Sequence, residues 1–222
     1  DLIKEGTGFP KLMNDEEIIP IFLAKGANLE EARDYVGSGC TEVRLLNRNT
    51  YFTGTTWLNL GAVLEMTLYN GKCTASGNRK VGLNTGDPDK FQSFDDLWNA
   101  FEKQLRFAQE QIFKQQYITD FIRPNKVAAP LLSSLHQLCM EQGKDVNYGS
   151  LEGGLSLGGQ TGPVGFGTVI DSLAAIRKLV FEDESITMKE YLVALNSNYE
   201  DNEVLRQLCL NAPKYGNGND HV

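Results

Sequence analysis

Arg33-Asp34-Tyr35-Val36-Gly37-Ser38-Gly39-Cys40-Thr41-Glu42 is the stretch on which the reading of this chain turns. One cysteine stands among small residues, and a carboxylate follows two positions later. Gly37, Ser38 and Gly39 let the backbone turn sharply and let another molecule approach the sulfur closely. Upstream, Asn28 to Val36 reads as a short helix, with Asn28 as N-cap, Glu31 three residues on, and glycine at its end. Cys40 is therefore expected on a tight loop leaving a helix. If that loop is extended, positions 40 and 42 point to the same side, and thiol and carboxylate address one cavity. A buried cysteine behind a helix-ending glycine is the plainer alternative.

The rest of the composition narrows the class. The chain has 222 residues, enough for one or two domains. Its net charge of −8 argues against a nucleic-acid partner, which would need clustered lysine and arginine. No segment has the uninterrupted apolar length of a membrane span, and no signal peptide is visible, so no membrane attachment is expected. Cys40, Cys73, Cys139 and Cys209 are far apart and form no Cys-x-x-Cys pair. That spacing excludes a zinc ribbon and offers no disulfide framework, so reduced thiols in a cytoplasmic protein fit best. The glycine cluster from Gly149 to Gly167 lacks both the dinucleotide-binding and the P-loop spacing and reads as a long irregular loop.

Helix and strand signals are mixed along the chain, with no clear linker. Asn14-Asp15-Glu16-Glu17 opens a helix that closes at Gly26, with Pro20 expected to kink it. Trp57 to Tyr69 is apolar on nearly every side and stops at Asn70-Gly71, as a deeply buried helix should. From Ser93 onward, Phe94, Leu97, Trp98, Phe101, Leu105, Ala108 and Ile112 recur at helical spacing, with Ser93 and Asp96 at the start. Further helices are expected over Leu131 to Met140, ending at Gly143, and over Ser172 to Phe181. Thr187-Met188-Lys189-Glu190 is a capping box for the next. Thr41 to Leu46 and Phe166 to Ile170 are the best strand candidates.

The decisive stretch resembles the active-site cysteine loop of the glycyl radical enzymes, the pyruvate formate-lyase-like family, in which Gly-Cys-x-Glu follows an Ala-Arg-Asp-Tyr-like helix end. Asp1-Leu2-Ile3-Lys4-Glu5-Gly6, Thr85-Gly86-Asp87-Pro88, Gly162-Pro163-Val164-Gly165-Phe166-Gly167, Asp171 to Phe181 and Ala212-Pro213-Lys214-Tyr215-Gly216-Asn217 fit the same family in the same order. The resemblance implies a ten-stranded α/β barrel, built as two five-stranded half-barrels with helices outside and Cys40 on an inserted loop. Residues 1–222 would be the C-terminal part of that barrel domain, incomplete, without the domain that stores the radical on a glycine. On that expectation the segment alone is inactive. It implies no metal or organic cofactor in this chain; a separate iron–sulfur, S-adenosylmethionine-dependent activating enzyme would install the glycyl radical. A small-molecule substrate and a homodimer are the further expectations.

Within this resemblance Cys40 would carry a thiyl radical that removes hydrogen from an unactivated carbon, since S–H and C–H bonds have similar strength. Glu42 would accept a proton from a substrate hydroxyl or carboxyl as general base. C–C or C–X cleavage follows, as in a lyase, decarboxylase or dehydratase. Departures from the pattern bear on the substrate. Gly39 precedes Cys40 where pyruvate formate-lyase has a second cysteine, so formate production is not expected. Val43-Arg44 replaces the dehydratases' Pro-Gln, and Gly54 stands where they place an aspartate, so a standard glycerol-like substrate is in question. Arg44 or Arg48 could bind a carboxylate, and Gln160 or Thr161 could hydrogen-bond a ligand. Radical addition to fumarate, as in the benzylsuccinate and alkylsuccinate synthases, is one alternative. A conventional cysteine nucleophile is the other: a thiolate normally needs a nearby histidine, and only His136 and His221 exist, so Cys40 would have to meet His136 in space.

Overall fold

The structure is a computed structural model that describes residues 2–7, 12–38, 42–49, 56–148, 151–154, 161–220 and 222. Helix α1 (Asp15–Ala24) starts at Asn14, whose side-chain oxygen accepts the Glu16 N–H at 3.1 Å. Helix α2 (Leu29–Arg33) has the expected capping box: Asn28 Oδ1 accepts from Glu31 N at 2.9 Å and Glu31 Oε2 accepts from Asn28 N at 3.0 Å. Strands β1 (Tyr35–Ser38) and β2 (Glu42–Leu45) follow. Next come β3 (Thr56–Asn59), α3 (Leu60–Leu68) and the short strands β4 (Lys72–Cys73) and β5 (Arg79–Lys80). The long helix α4 (Phe94–Lys126) leads to α5 (Pro130–Ser134) and α6 (Gln137–Gln142). Strand β6 (Thr161–Val164), α7 (Phe166–Ile176), π-helical turns over Arg177–Glu182, α8 (Met188–Asn196) and α9 (Glu203–Asn211) complete the order.

The chain divides into two compact units, Asp1–Gly54 with Tyr117–Gln160, and Thr55–Gln116 with Thr161–Val222. In the first, β1 and β2 form an antiparallel hairpin in the register Tyr35↔Leu45, Val36↔Arg44, Gly37↔Val43 and Ser38↔Glu42. Phe22, Ala27, Ala32 and Leu45 are its buried centre, with Ile18, Ile19, Tyr35 and Val43 against them. This corrects the expected helix from Asn28 to Val36. It ends at Arg33, because aromatic Tyr35 and β-branched Val36 gain more by pairing with β2 than by extending a five-residue helix. Residues 35–38 are therefore strand rather than a helix end.

The expected single helix over Leu131 to Met140 is also corrected, to α5 and α6 with a break at Leu135-His136. His136 adopts extended backbone (φ −109°, ψ 118°), and its Nε2 lies 3.2 Å from the Asn49 carbonyl. Ser133 Oγ bonds the Ala129 carbonyl at 2.7 Å and Asp145 at 3.0 Å, a local competitor of the kind that shortens helices. Gly143 closes α6 in the left-handed region at φ 60°, as its position suggested.

In the second unit β3 and β6 pair in parallel, Thr56 opposite Thr161 and Asn59 opposite Val164, and each strand runs directly into a helix, α3 and α7. Leu60, Val63, Leu64, Met66 and Leu68 of α3 meet Leu97 and Phe101 of α4, Val169, Leu173 and Ile176 of α7, and Met188 and Tyr191 of α8. The burial expected of Trp57 to Tyr69 holds from Leu60 onward. Trp57 to Asn59, however, are strand, and Trp57 is 61% exposed. Phe166 to Ile170 is helix rather than strand. Val169, Leu173 and Ile176 fall on one buried face at helical spacing, and the strand lies just before, at Thr161–Val164. That strand also shortens the irregular loop expected over Gly149 to Gly167. The helix foreseen from Ser172 begins six residues earlier at Phe166. Capping of α8 by Thr187 and Glu190 and of α4 by Ser93 and Asp96 is as expected.

Gln104 of α4 is fully buried and ties that helix to the segment around Leu83 and Thr85. Its Oε1 accepts the Leu83 N–H at 3.0 Å, and its Nε2 donates to the Leu83 carbonyl at 2.9 Å and to Thr85 Oγ1 at 3.1 Å. Gln104→Leu keeps the volume but leaves these groups without a partner. We expect it to cost roughly 2–4 kcal/mol, read as a lower urea midpoint at unchanged slope.

The described residues thus combine helices with three two-stranded sheets, an α/β composition. Among them no helix is long and apolar enough to cross a membrane.

Candidate functional site

The β1–β2 hairpin has two different faces, because side chains alternate along a strand and paired residues share a face. Tyr35, Val43 and Leu45 lie on the face that meets Phe22 and Ala32; the Tyr35 ring stacks on Phe22 with centroids 6.4 Å apart. The opposite face carries Val36, Glu42 and Arg44. Glu42 and Arg44 are half-buried, and Val36 beside Arg44 is 36% exposed. The hairpin therefore buries its apolar residues on one side and collects a carboxylate and a guanidinium on the other.

Cys40 lies outside the described residues, as does Gln160. The positions that flank the cysteine, Ser38 and Glu42, are paired with each other in the hairpin register. Thr161, the other ligand-contact candidate, begins β6 of the second unit, exposed and opposite Thr56. The two candidate arginines have different fates. Arg48 Nη1 donates to Glu31 Oε1 of the α2 capping box at 2.7 Å, with both side chains largely covered. Arg44 instead shares the face of Glu42.

His136 is engaged with the protein's own backbone. Its Nε2 contact with the Asn49 carbonyl makes that nitrogen the protonated one. The ring thus anchors the turn that follows β2, which suits a structural histidine. The other cysteines are poor nucleophiles. Burial, followed by a hydrogen bond to Glu65 at 3.2 Å, pushes the Cys73 thiol up. Burial next to Asp145 does the same for Cys139, and burial raises Cys209 against the smaller opposing effects of Tyr199 and Lys214. All three stay protonated thiols at neutral pH, and no thiolate is activated among them.

The strand expected over Thr41 to Leu46 is present as β2, Glu42–Leu45, but its partner β1 is not foreseen in the sequence. Its signal was available in the alternation of Tyr35 and Gly37 with Val36 and Ser38, but the glycines and the preceding capping box favoured a helix end.

The whole chain, residues 1–222, matches the family model described as "Pyruvate formate lyase-like". It is 46% identical over 222 residues to the isethionate sulfite-lyase of Oleidesulfovibrio alaskensis, covering 100% of this chain and 27% of that protein. It is 34% identical over 223 residues to the trans-4-hydroxy-L-proline dehydratase of Clostridioides difficile, covering 100% of this chain and 28% of that one. Among solved structures, the B12-independent glycerol dehydratase from Clostridium butyricum in its glycerol-bound form superposes with a TM-score of 0.80 at 31% identity, over 99% of this chain and 27% of that one. The chain spans little more than a quarter of the length of the relatives that it matches.

Proposed function

Since this chain belongs to the pyruvate formate lyase-like family, we propose that it is the cysteine-bearing segment of a glycyl radical lyase that breaks a carbon–heteroatom bond beside a hydroxyl-bearing carbon. The observation that carries this reading is the uninterrupted match of all 222 residues to the isethionate sulfite-lyase, at 46% identity, with Gly39-Cys40-Thr41-Glu42 inside it. The relatives are named for sulfite loss and for water loss, and each of these is the departure of a leaving group from carbon.

The residues divide that work. Cys40, as a thiyl radical, takes a hydrogen atom from the hydroxyl-bearing carbon and becomes a thiol. Glu42 takes the hydroxyl proton, which concentrates negative charge on the oxygen and pushes out the neighbouring group with its bonding pair. The carbonyl-stabilised radical that remains recovers a hydrogen atom from Cys40, and the sulfur radical is restored. The family's radical glycine, installed by an S-adenosylmethionine-dependent iron–sulfur enzyme, supplies the unpaired electron that Cys40 receives. A closed interior serves this chemistry by keeping water and oxidants from the radical.

The parallel pair β3 and β6, each followed by a helix, supports placing residues 1–222 in the C-terminal part of the family's ten-stranded barrel domain. The β1–β2 hairpin supports Cys40 as a residue presented at a tip between paired strands. Homodimerisation and a cytoplasmic setting complete the proposal; reduced thiols suit both the compartment and the radical relay.

The test uses the complete polypeptide, activated without oxygen. A glycine-centred paramagnetic signal is expected, and isethionate should yield sulfite and acetaldehyde in equal amounts. Water loss from a neutral diol without action on isethionate would make it a dehydratase of the same class. Addition to fumarate would establish the synthase alternative. Turnover in air without activation would overturn the radical mechanism in favour of a cysteine nucleophile.

A further inference from the structure

We infer that the cavity between α3, α7 and α8 binds an organic ammonium ion, a protonated amine with a short hydrocarbon body. The site lies wholly in the second unit, whereas Glu42 belongs to the first. Its volume is about 380 Å³, within the range of small-molecule pockets. Helical spacing builds it. Gly61, Leu64, Glu65 and Leu68 recur at three-residue and four-residue steps along α3 and so share one face. Val169 and Ser172 of α7 and Tyr191 and Leu195 of α8 supply the other walls. Burial orders the lining by depth. Leu64, Leu68, Val169 and Tyr191 are buried, and Glu65, Tyr69 and Leu195 are half-buried. Thr74, Thr168 and Asn196 are exposed at the mouth. The cavity is thus apolar at its floor, carries one carboxylate midway, and opens through polar groups.

The charge of the ligand follows from Glu65. Each of its oxygens accepts a hydrogen bond from a neutral donor, Oε2 from the Cys73 thiol at 3.2 Å and Oε1 from the Thr74 N–H at 3.1 Å. Those bonds hold the carboxylate in place and leave its charge without a counterion. No lysine or arginine lines the cavity, and none among the described residues forms an ion pair with Glu65. Lys72 lines an adjoining cavity that Glu65 also borders, but it makes no such pair. A half-buried carboxylate is screened less than one on the surface. Its field reaches the neighbouring tyrosine: burial, followed by the Glu65 charge, pushes the Tyr69 hydroxyl up. The field that opposes a phenolate there favours a cation. The Tyr69 hydroxyl bonds no other described residue, so its oxygen can accept from an ammonium N–H. Tyr69 and Tyr191 also bring electron-rich rings to the lining, which suits a cation further. Leu64, Leu68 and Val169 receive the hydrocarbon body. An anion would be repelled by Glu65, and a neutral alcohol would leave that charge uncompensated.

The experiment measures binding to the complete, unactivated polypeptide, so its outcome does not depend on radical chemistry. Calorimetric titration at neutral pH uses n-butylamine, n-butanol and n-butyrate, which share a short hydrocarbon body and differ in charge. Butylamine should bind, butanol should bind about 10-fold or more weakly, and butyrate should bind weakest. Glu65→Gln keeps the side-chain shape and one acceptor oxygen. It should weaken butylamine by about 10-fold to 100-fold, as expected for the loss of hydrogen bonds to a charged group, and leave butanol unchanged. Ser172→Leu enlarges a side chain on the cavity wall and should weaken both. Thermal unfolding of each variant separates lost binding from lost structure. If the glutamine variant does not fold, Ser172→Leu and the preference of the wild type for butylamine over butanol decide the matter. Butanol bound as tightly as butylamine would overturn the inference, as would butylamine binding unchanged in Glu65→Gln or in Ser172→Leu. A complete polypeptide that binds no butylamine would overturn it too, as when a basic side chain from beyond residues 1–222 fills the cavity.

Discussion

Cys40→Ser in the activated, complete enzyme should abolish turnover while the glycine-centred paramagnetic signal persists at wild-type intensity. This is the largest effect expected of any single change. Serine preserves size and hydrogen bonding, so the surrounding backbone has little reason to move. Its O–H bond, however, is much stronger than an S–H bond. The hydroxyl cannot give up its hydrogen to a carbon-centred or glycine-centred radical and take one back in the same cycle. The measurement is product formation under strict anaerobiosis, together with spin counting on the same sample. A serine variant that still converts any substrate would remove Cys40 from the radical relay. Cys73, Cys139 and Cys209 could not take over as thiolates, since burial holds each of them protonated.

Glu42→Gln should lower turnover by about 10²-fold to 10⁴-fold, the range that proton transfer by a placed side chain contributes. Glutamine keeps the shape and the hydrogen-bonding reach of glutamate but cannot take a proton. Hydrogen abstraction comes first and does not need the base. Exchange of deuterium between labelled substrate and the Cys40 thiol should therefore survive the substitution, while release of the leaving group slows. Loss of both together would indicate that Glu42 shapes the hairpin face. A glutamine variant as fast as the wild type would make Glu42 a structural residue.

Much of this protein could be read before its structure, and the reasons are local. Helix starts at Asn14, Asn28, Ser93 and Thr187 were legible because a cap is a contact between residues two or three positions apart. The buried character of α3 was legible from its composition alone. The family followed from the order of several short motifs, and Gly39-Cys40-Thr41-Glu42 named the candidate sulfur and base by residue type.

Tertiary structure decided the strands and, through them, the candidate site. Tyr35 to Ser38 and Thr56 to Asn59 carry residues that a helix would also accept, and each is a strand because a partner is available. That partner begins four positions past the end of β1 in one case; in the other, Thr56 pairs with Thr161, far along the chain. Propensity is a weak prior against such pairing. The break between α5 and α6 has the same origin, since His136 meets a carbonyl at Asn49, 87 positions earlier. The sequence by itself determined which groups are present to do chemistry: one cysteine, one glutamate and two nearby arginines. Only the fold showed where the arginines lie. Pairing of β1 with β2 turns Val43 and Leu45 into the core and so turns Glu42 and Arg44 together to the other face, while the α2 capping box holds Glu31 where it neutralises Arg48. Burial of two apolar side chains is what orients the two charged ones, and that depends on what the core offers rather than on the order of residues along the strand.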